Sequence, residues 1–152
     1  MELTLIKNKC MEVKYYINKG FEPYAIMRPS DKYKQGIEIW YPSNPIKSND
    51  QPAVYILANK DGKVLKIGET QNLTSRFHRG YRCIVNSTNN KIRQYIREVE
   101  PMHVYVHALP IRTEKVLGYK CETSYVKGLE WNLLNEFKEV NGKLPQLNVY
   151  RK

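Results

Sequence analysis

Three cysteines, Cys10, Cys83 and Cys121, are all that this chain of 152 residues holds. They are scattered and odd in number, so they do not form a disulfide framework. A chain this long buries a core without one, and reduced thiols in a cytoplasmic compartment are expected. Also missing is any apolar run near the ~18 residues that a membrane-spanning helix needs. The opening MELTLIKNKCMEV lacks a basic stretch followed by an apolar one, so nothing in it signals export. Internal repeats and low-complexity tracts are absent as well. At 41% hydrophobic and 26% charged, the composition is that of an ordinary globular domain and not of a disordered or fibrous protein.

The scarcity of acid in one stretch is more informative. Residues 63–97 carry eight lysines and arginines against Glu69 alone, and this local excess of seven is most of the net charge of +10. A surface that needs only solubility intersperses both signs. A block of one sign points to a polyanion, and Lys63, Arg79, Arg82, Lys91, Arg93 and Arg97 are the candidate contacts to its phosphate backbone.

Ile6, Cys10, Val13 and Ile17 recur at helical spacing, with Gly20 as the stop. GIEIWY (36–41) reads as a short strand. The Pro-broken stretch from Pro42 to Pro52 divides an N-terminal extension (1–50) from the domain at 51–152. AVYILA and KVLKIG form a hairpin about Asn59-Lys60-Asp61-Gly62. A four-residue loop pairs 55 with 66, and a two-residue loop pairs 55 with 68. Tyr55 and Lys66 share a face in either register.

Asn72 caps a helix beginning at Leu73, with Leu73 and Phe77 inward and Arg76 beside them. A cation in the first turn opposes the macrodipole, so an anion to be bound explains Arg76 better than helix propensity does. Ser87 or Thr88 caps a second helix at about 89–99, MHVYVHAL (102–109) alternates as a strand, and Thr123 or Ser124 opens a last helix ending near Gly142. On that helix Glu130 lies inside the apolar stripe of Val126, Leu129, Leu133, Leu134 and Phe137. A carboxylate there needs a cation or a metal ion. His103 and His107, at i and i+4 on a strand, lie too far apart to share one metal.

These residues together resemble the GIY-YIG nuclease superfamily, over about residues 52–149. The two name-giving triplets match Ala53-Val54-Tyr55 and Lys66-Ile67-Gly68. The helix arginine matches Arg76 in LTSRF, the metal-binding glutamate Glu130 in LEWNLLNEF, and the late asparagine Asn148 in PQLN. Lys66 replaces the usual tyrosine, as in some restriction-enzyme and phage branches. The family places a His or Tyr about one turn after the arginine to position water. Four residues on from Arg76 is Gly80, flanked by His78 and Tyr81, and Tyr81 is the candidate.

The resemblance implies an α+β fold, a small three-stranded sheet surrounded by helices, here with an N-terminal helical and strand extension. It implies hydrolysis of double-stranded DNA with one Mg²⁺ (or Mn²⁺) held by Glu130, by an enzyme most like the stand-alone restriction branch and expected as a homodimer. The catalytic set it implies is Tyr55, Lys66, Arg76, Tyr81, Glu130 and Asn148, with Asn148 shaping the pocket. An ammonium at Lys66 would lower the pKa of Tyr55. Two alternatives stay open: a catalytically silent nucleic-acid-binding module of the same fold, and a repair-type, homing-type or RNA-directed nuclease.

Overall fold

AVYILA is apolar at all six positions, so a strand built from it has to be buried on both faces. The structure, a computed structural model, describes residues 10–32, 36–41, 51–81 and 87–148, with the side chains of residues 87 and 88 excepted. Ile6, the 42–50 part of the expected boundary, Arg82 and Cys83 lie outside the described residues. In chain order the elements are α1 (Val13–Ile17), β1 (Glu22–Pro29), β2 (Ile37–Trp40), β3 (Ala53–Ala58), β4 (Val64–Thr70), a π-helix (Thr74–Tyr81), α2 (Ser87–Glu98), β5 (Met102–Ala108), β6 (Arg112–Val116), β7 (Tyr119–Thr123) and α3 (Val126–Asn141).

The architecture is α+β, as expected. The sheet has five strands in the order β2-β1-β5-β3-β4, each pair antiparallel, where three were expected. The expected three are the β5-β3-β4 half. Residues 22–40 add the other two, because β5 would otherwise leave an edge of unpaired N–H and C=O groups. β1 hides in the sequence because Pro23 and Pro29 interrupt it, and its register shifts between Pro23 and Ala25.

β3 is buried throughout. On one face Tyr55 and Leu57 pack with Leu73, Phe77 and Tyr81 of the π-helix segment and with Ile92 and Ile96 of α2. On the other, Val54, Ile56 and Ala58 meet Val13 and Tyr16 of α1 and Val126, Leu133 and Phe137 of α3. Tyr16 takes the inward place expected of Ile17, which is 40% exposed. Glu136 of α3 fastens α1 in place: its Oε1 accepts from Tyr15 Oη at 2.7 Å. Burial, reinforced by Glu136, pushes the Cys10 thiol up to about 11, so this cysteine is an inert core residue.

The hairpin takes the tighter register, with Tyr55 opposite Gly68 and Leu57 opposite Lys66, and a shift at Ala58 absorbs the turn. β4 is an edge strand covered by the C-terminal segment, where Leu147 N–H donates to Leu65 O at 2.8 Å. α3 stops at Gly142 as expected, in the left-handed region at φ 81. Its N-cap is Tyr125, with no side-chain capping bond, and the expected cap Ser124 donates to Gln71 Oε1 at 3.0 Å instead.

Phe77 is fully buried, with ring centroids 5.0 Å from Tyr55, 5.3 Å from Tyr81 and 5.7 Å from Tyr24. Phe77→Ala should therefore cost about 3–5 kcal/mol of stability, read as a lowered denaturant midpoint. A loss under about 1 kcal/mol would contradict this packing.

Candidate active site

β4 ends at Thr70, whose Oγ1 donates to Asn72 O at 2.9 Å and accepts from Asn72 N–H at 3.1 Å. Asn72 Oδ1 accepts from Ser75 N–H at 2.9 Å, the capping bond that its position before Leu73 predicts. From Thr74 to Tyr81 the coil then widens into a π-helix. Its hydrogen bonds run from i to i+5, so the side chain one turn beyond Arg76 is Tyr81 and not Gly80. Gly80 lets that turn close, since a Cβ there would lie 3.1 Å from Ser75 O.

Three groups now meet. Tyr55 Oη and Tyr81 Oη are 2.7 Å apart in a shared hydrogen bond. Arg76 donates from Nε to Tyr55 Oη at 3.0 Å and from Nη2 to Tyr81 Oη at 3.1 Å. Its guanidinium carbon also lies 4.4 Å from the centroid of the Tyr81 ring. Both phenols are buried. One phenolic hydrogen is used between the two tyrosines, which leaves the other for a group outside the triangle.

Lys66 enters from β4, only 6% exposed, with Nζ 5.6 Å from the Tyr81 centroid. Glu130 stands half-buried on α3, near enough that its charge works against ionisation of Tyr55. The expected lowering of the Tyr55 pKa by Lys66 does not occur. Burial dominates and raises it, and the cation pulling it down is Arg76. Tyr81 is pushed well above the phenol range, first by burial and then by Tyr55.

The backbone is shaped around this group. A Cβ on Gly68 would fall 2.5 Å from Tyr55 Oη, so only glycine lets the phenol lie across β4. Asn148 grips the backbone of Ile67 on both sides of its Cα: Oδ1 accepts from Ile67 N–H at 2.9 Å, and Nδ2 donates to Ile67 O at 2.8 Å. It positions the strand that carries Lys66, consistent with a shaping role.

Two positioning residues are not evident from the basic composition. Asn89 Nδ2 donates to Gly80 O at 2.9 Å and Arg93 Nε to Tyr81 O at 2.7 Å, so α2 holds the last carbonyls of the π-helix. Both side chains are buried. Arg93 was expected to contact DNA and instead lies inside the protein, beneath the site. The usable signal was its place in the buried stripe 89, 92, 93 and 96 of α2. Lys63, Arg79, Lys91 and Arg97 are exposed, and Arg82 lies outside the described residues. Lys63 lies in a different place from the triangle, on a cavity of about 870 Å³ that it lines with Met11, Lys138 and Lys143.

No family model and no curated protein sequence matches the chain. The fold, in contrast, is one that known nucleases share. A glutamate-to-alanine mutant of bacteriophage T4 EndoII superposes with a TM-score of 0.68 at 20% identity, covering 91% of this chain and 98% of that one. The restriction endonuclease HPY188I, in complex with product DNA, superposes with a TM-score of 0.57 at 19% identity, covering 92% of this chain and 87% of that one. At these identities the likeness establishes the fold.

Two outcomes follow from the geometry. Arg93→Met leaves a buried carbonyl without its charged donor, which should cost about 1.5–3 kcal/mol by chemical denaturation. Arg97→Ala, on the exposed side of the same helix, should stay within about 0.5 kcal/mol of wild type. The raised pKa of Tyr55 means that its neutral form is favoured on folding. Its stabilisation should hold below the ordinary phenol pKa of ~10 and be lost as pH rises beyond it. Unfolding free energies at pH 9 and pH 11 should therefore fall more steeply in wild type than in Tyr55→Phe; equal slopes would refute this.

Proposed function

We infer that this protein is an endonuclease that hydrolyses phosphodiester bonds of double-stranded DNA. The observation that carries the inference is the triangle of half-buried Arg76 with buried Tyr55 and Tyr81, flanked by Lys66 and Glu130. The guanidinium keeps N–H donors beyond the two it gives the phenols, and one phenolic hydrogen is transferable, a set that suits a phosphoryl group. The nuclease fold of the two structural neighbours supports the reading. So do the exposed Arg79, Lys91 and Arg97, which offer charge to a phosphate backbone.

In this reading Arg76 binds a non-bridging oxygen and offsets charge developing on it. Tyr55 and Tyr81, held neutral by burial, relay a proton through their 2.7 Å contact rather than starting as phenolate. Tyr81 orients water, because the π-helix brings it over Arg76. Lys66 adds positive charge to the pocket and accepts a proton when neutral.

Among the described residues no three His, Cys, Asp or Glu side chains cluster to hold a metal. A single carboxylate fits Mg²⁺ or Mn²⁺, which keeps water ligands and takes others from phosphate, and does not fit a zinc site. Glu130 is the residue to hold it. Such an ion would supply Lewis acidity at the phosphoryl group and the leaving oxygen.

The finer proposal is a type II restriction-like enzyme working as a homodimer in a reducing cytoplasm, with residues 1–50 helping recognition or dimerisation. Among the described residues no helix is long and apolar enough to cross a membrane. Incubation with duplex DNA and Mg²⁺ should give cleavage that EDTA abolishes. Tyr55→Phe and Glu130→Ala should each lower the rate by about 10²–10⁴ while leaving DNA binding within a few-fold. Unchanged cutting by Glu130→Ala removes the metal assignment. Salt-dependent binding with no cutting in wild type would establish the silent-module alternative. A panel of duplex, branched and RNA substrates at one salt concentration separates the remaining nuclease classes.

A further inference from the structure

The β6–β7 ribbon adds nothing to either core. Its strand residues 112–122 and its turn are exposed, and Thr123 at its base is half-buried. An isolated two-stranded ribbon is marginally stable in water, so its order needs support from something it touches. Among the described residues that support is found at its root. Tyr125 Oη donates to Glu114 Oε1 at 3.4 Å, Arg112 lies over the Tyr125 ring at 5.4 Å, and Ser124 bonds Gln71, which follows the end of β4. The root is thus fixed between β4, which carries Lys66, and α3, which carries Glu130.

Two features of the arm are locally unfavourable. Lys115 and Lys120 are direct cross-strand partners on one face, where like charges repel. At the tip the two-residue turn has φ 52 at Leu117 and φ 82 at Gly118. Asn or Gly suits the first of these positions, and a leucine there strains the backbone. Leu117 is nevertheless 92% exposed, with Val116 and Tyr119 paired behind it. An anion lying along the lysine face removes the first penalty. A surface that takes up the leucine offsets the second.

Duplex DNA meets both requirements. Its major groove, about 12 Å wide, admits a two-stranded ribbon, phosphates line its walls, and its floor offers base edges and thymine methyl groups to apolar side chains. We propose that the β6–β7 ribbon is a DNA-reading arm that enters the major groove beside the cleavage site, with Leu117 against base edges and Lys115 and Lys120 on flanking phosphates. The proposal rests on the nuclease reading only in taking DNA as the partner.

The test uses the full chain with three variants: Lys115→Ala, Lys120→Ala and Leu117→Asn. Asparagine suits the turn, so Leu117→Asn keeps the ribbon folded. Binding to linear duplex DNA of mixed sequence is measured in EDTA across salt concentrations, with sedimentation for oligomeric state and cleavage kinetics in Mg²⁺. Each lysine variant should reduce the slope of log K against log salt by about 0.9. Leu117→Asn should weaken binding about tenfold or more, as expected for loss of a buried leucine, and leave the slope alone. KM should rise in all three while kcat holds. Unchanged affinity and slope would overturn the arm while leaving the nuclease standing. A change in oligomeric state with DNA slopes unaltered would overturn it in favour of a second copy as the occupant. Altered binding by the variants, in a protein whose wild type does not cut, would keep the arm and remove the nuclease.

Discussion

Two phenols and a guanidinium share one buried spot, and most of the architecture serves to keep them there. Each phenolic oxygen is removed from water and the guanidinium beside them is half-buried, so the two phenols rely on each other and on Arg76 for hydrogen bonds. Deleting one partner strands two buried polar groups, which costs more than the net value of the lost bond. That asymmetry explains why the surroundings are so constrained. Gly68 has no side chain because Tyr55 lies across it, and Gly80 has none because the widened coil brings Ser75 O against it. Phe77 fills the space between the rings.

The π-helix is what lets Arg76 and Tyr81 stack, and it does not sustain itself. Wide coils of this kind are rare and short, so the local chain gains nothing from forming one unless its ends are held. The start is fixed by the Thr70–Asn72 turn and the cap on Ser75. The end is fixed from outside, by Asn89 and Arg93 reaching across from α2 to Gly80 O and Tyr81 O. A charged side chain therefore acts as a backbone clamp, and the helix carrying it packs Ile92 and Ile96 into the same core. Site geometry and core packing are thereby coupled through α2.

This coupling also separates what could be read in the sequence from what could not. The β3–β4 hairpin, the Asn72 cap, the β5 alternation and the Gly142 stop are local signals, and each is found where the residues put it. Glu130 stood out because a carboxylate interrupts an apolar stripe. Asn89 and Arg93 interrupt one in the same way, but their neighbourhood is so basic that Arg93 read as one more surface charge. The π-helix leaves no local trace, since TSRFHRGY suits an ordinary helix equally well, and counting four residues from Arg76 ends on Gly80. β1 was masked by its prolines. The β6–β7 ribbon was masked by a Leu-Gly turn, where Asn-Gly would have announced a hairpin.

The distribution of charge changes accordingly. Composition alone assigns eight cations in residues 63–97 to one electropositive surface. In the fold they divide by depth. Lys66 and Arg93 are buried, Arg76 is committed to the two phenols, and Lys63 lines a different cavity. Arg79, Lys91 and Arg97 are the exposed remainder among the described residues of that stretch. A long-range field from so few charges is screened within about 10 Å at 0.1 M salt. Among the described residues, this stretch thus offers a polyanion fewer exposed charges than its composition suggests. The buried cations serve a different purpose. In a pocket of low polarity a fixed guanidinium acts far more strongly on a nearby oxyanion than it would in water. Keeping Lys66 inside and Arg76 half-buried against the two phenols gives up steering in return for local field strength.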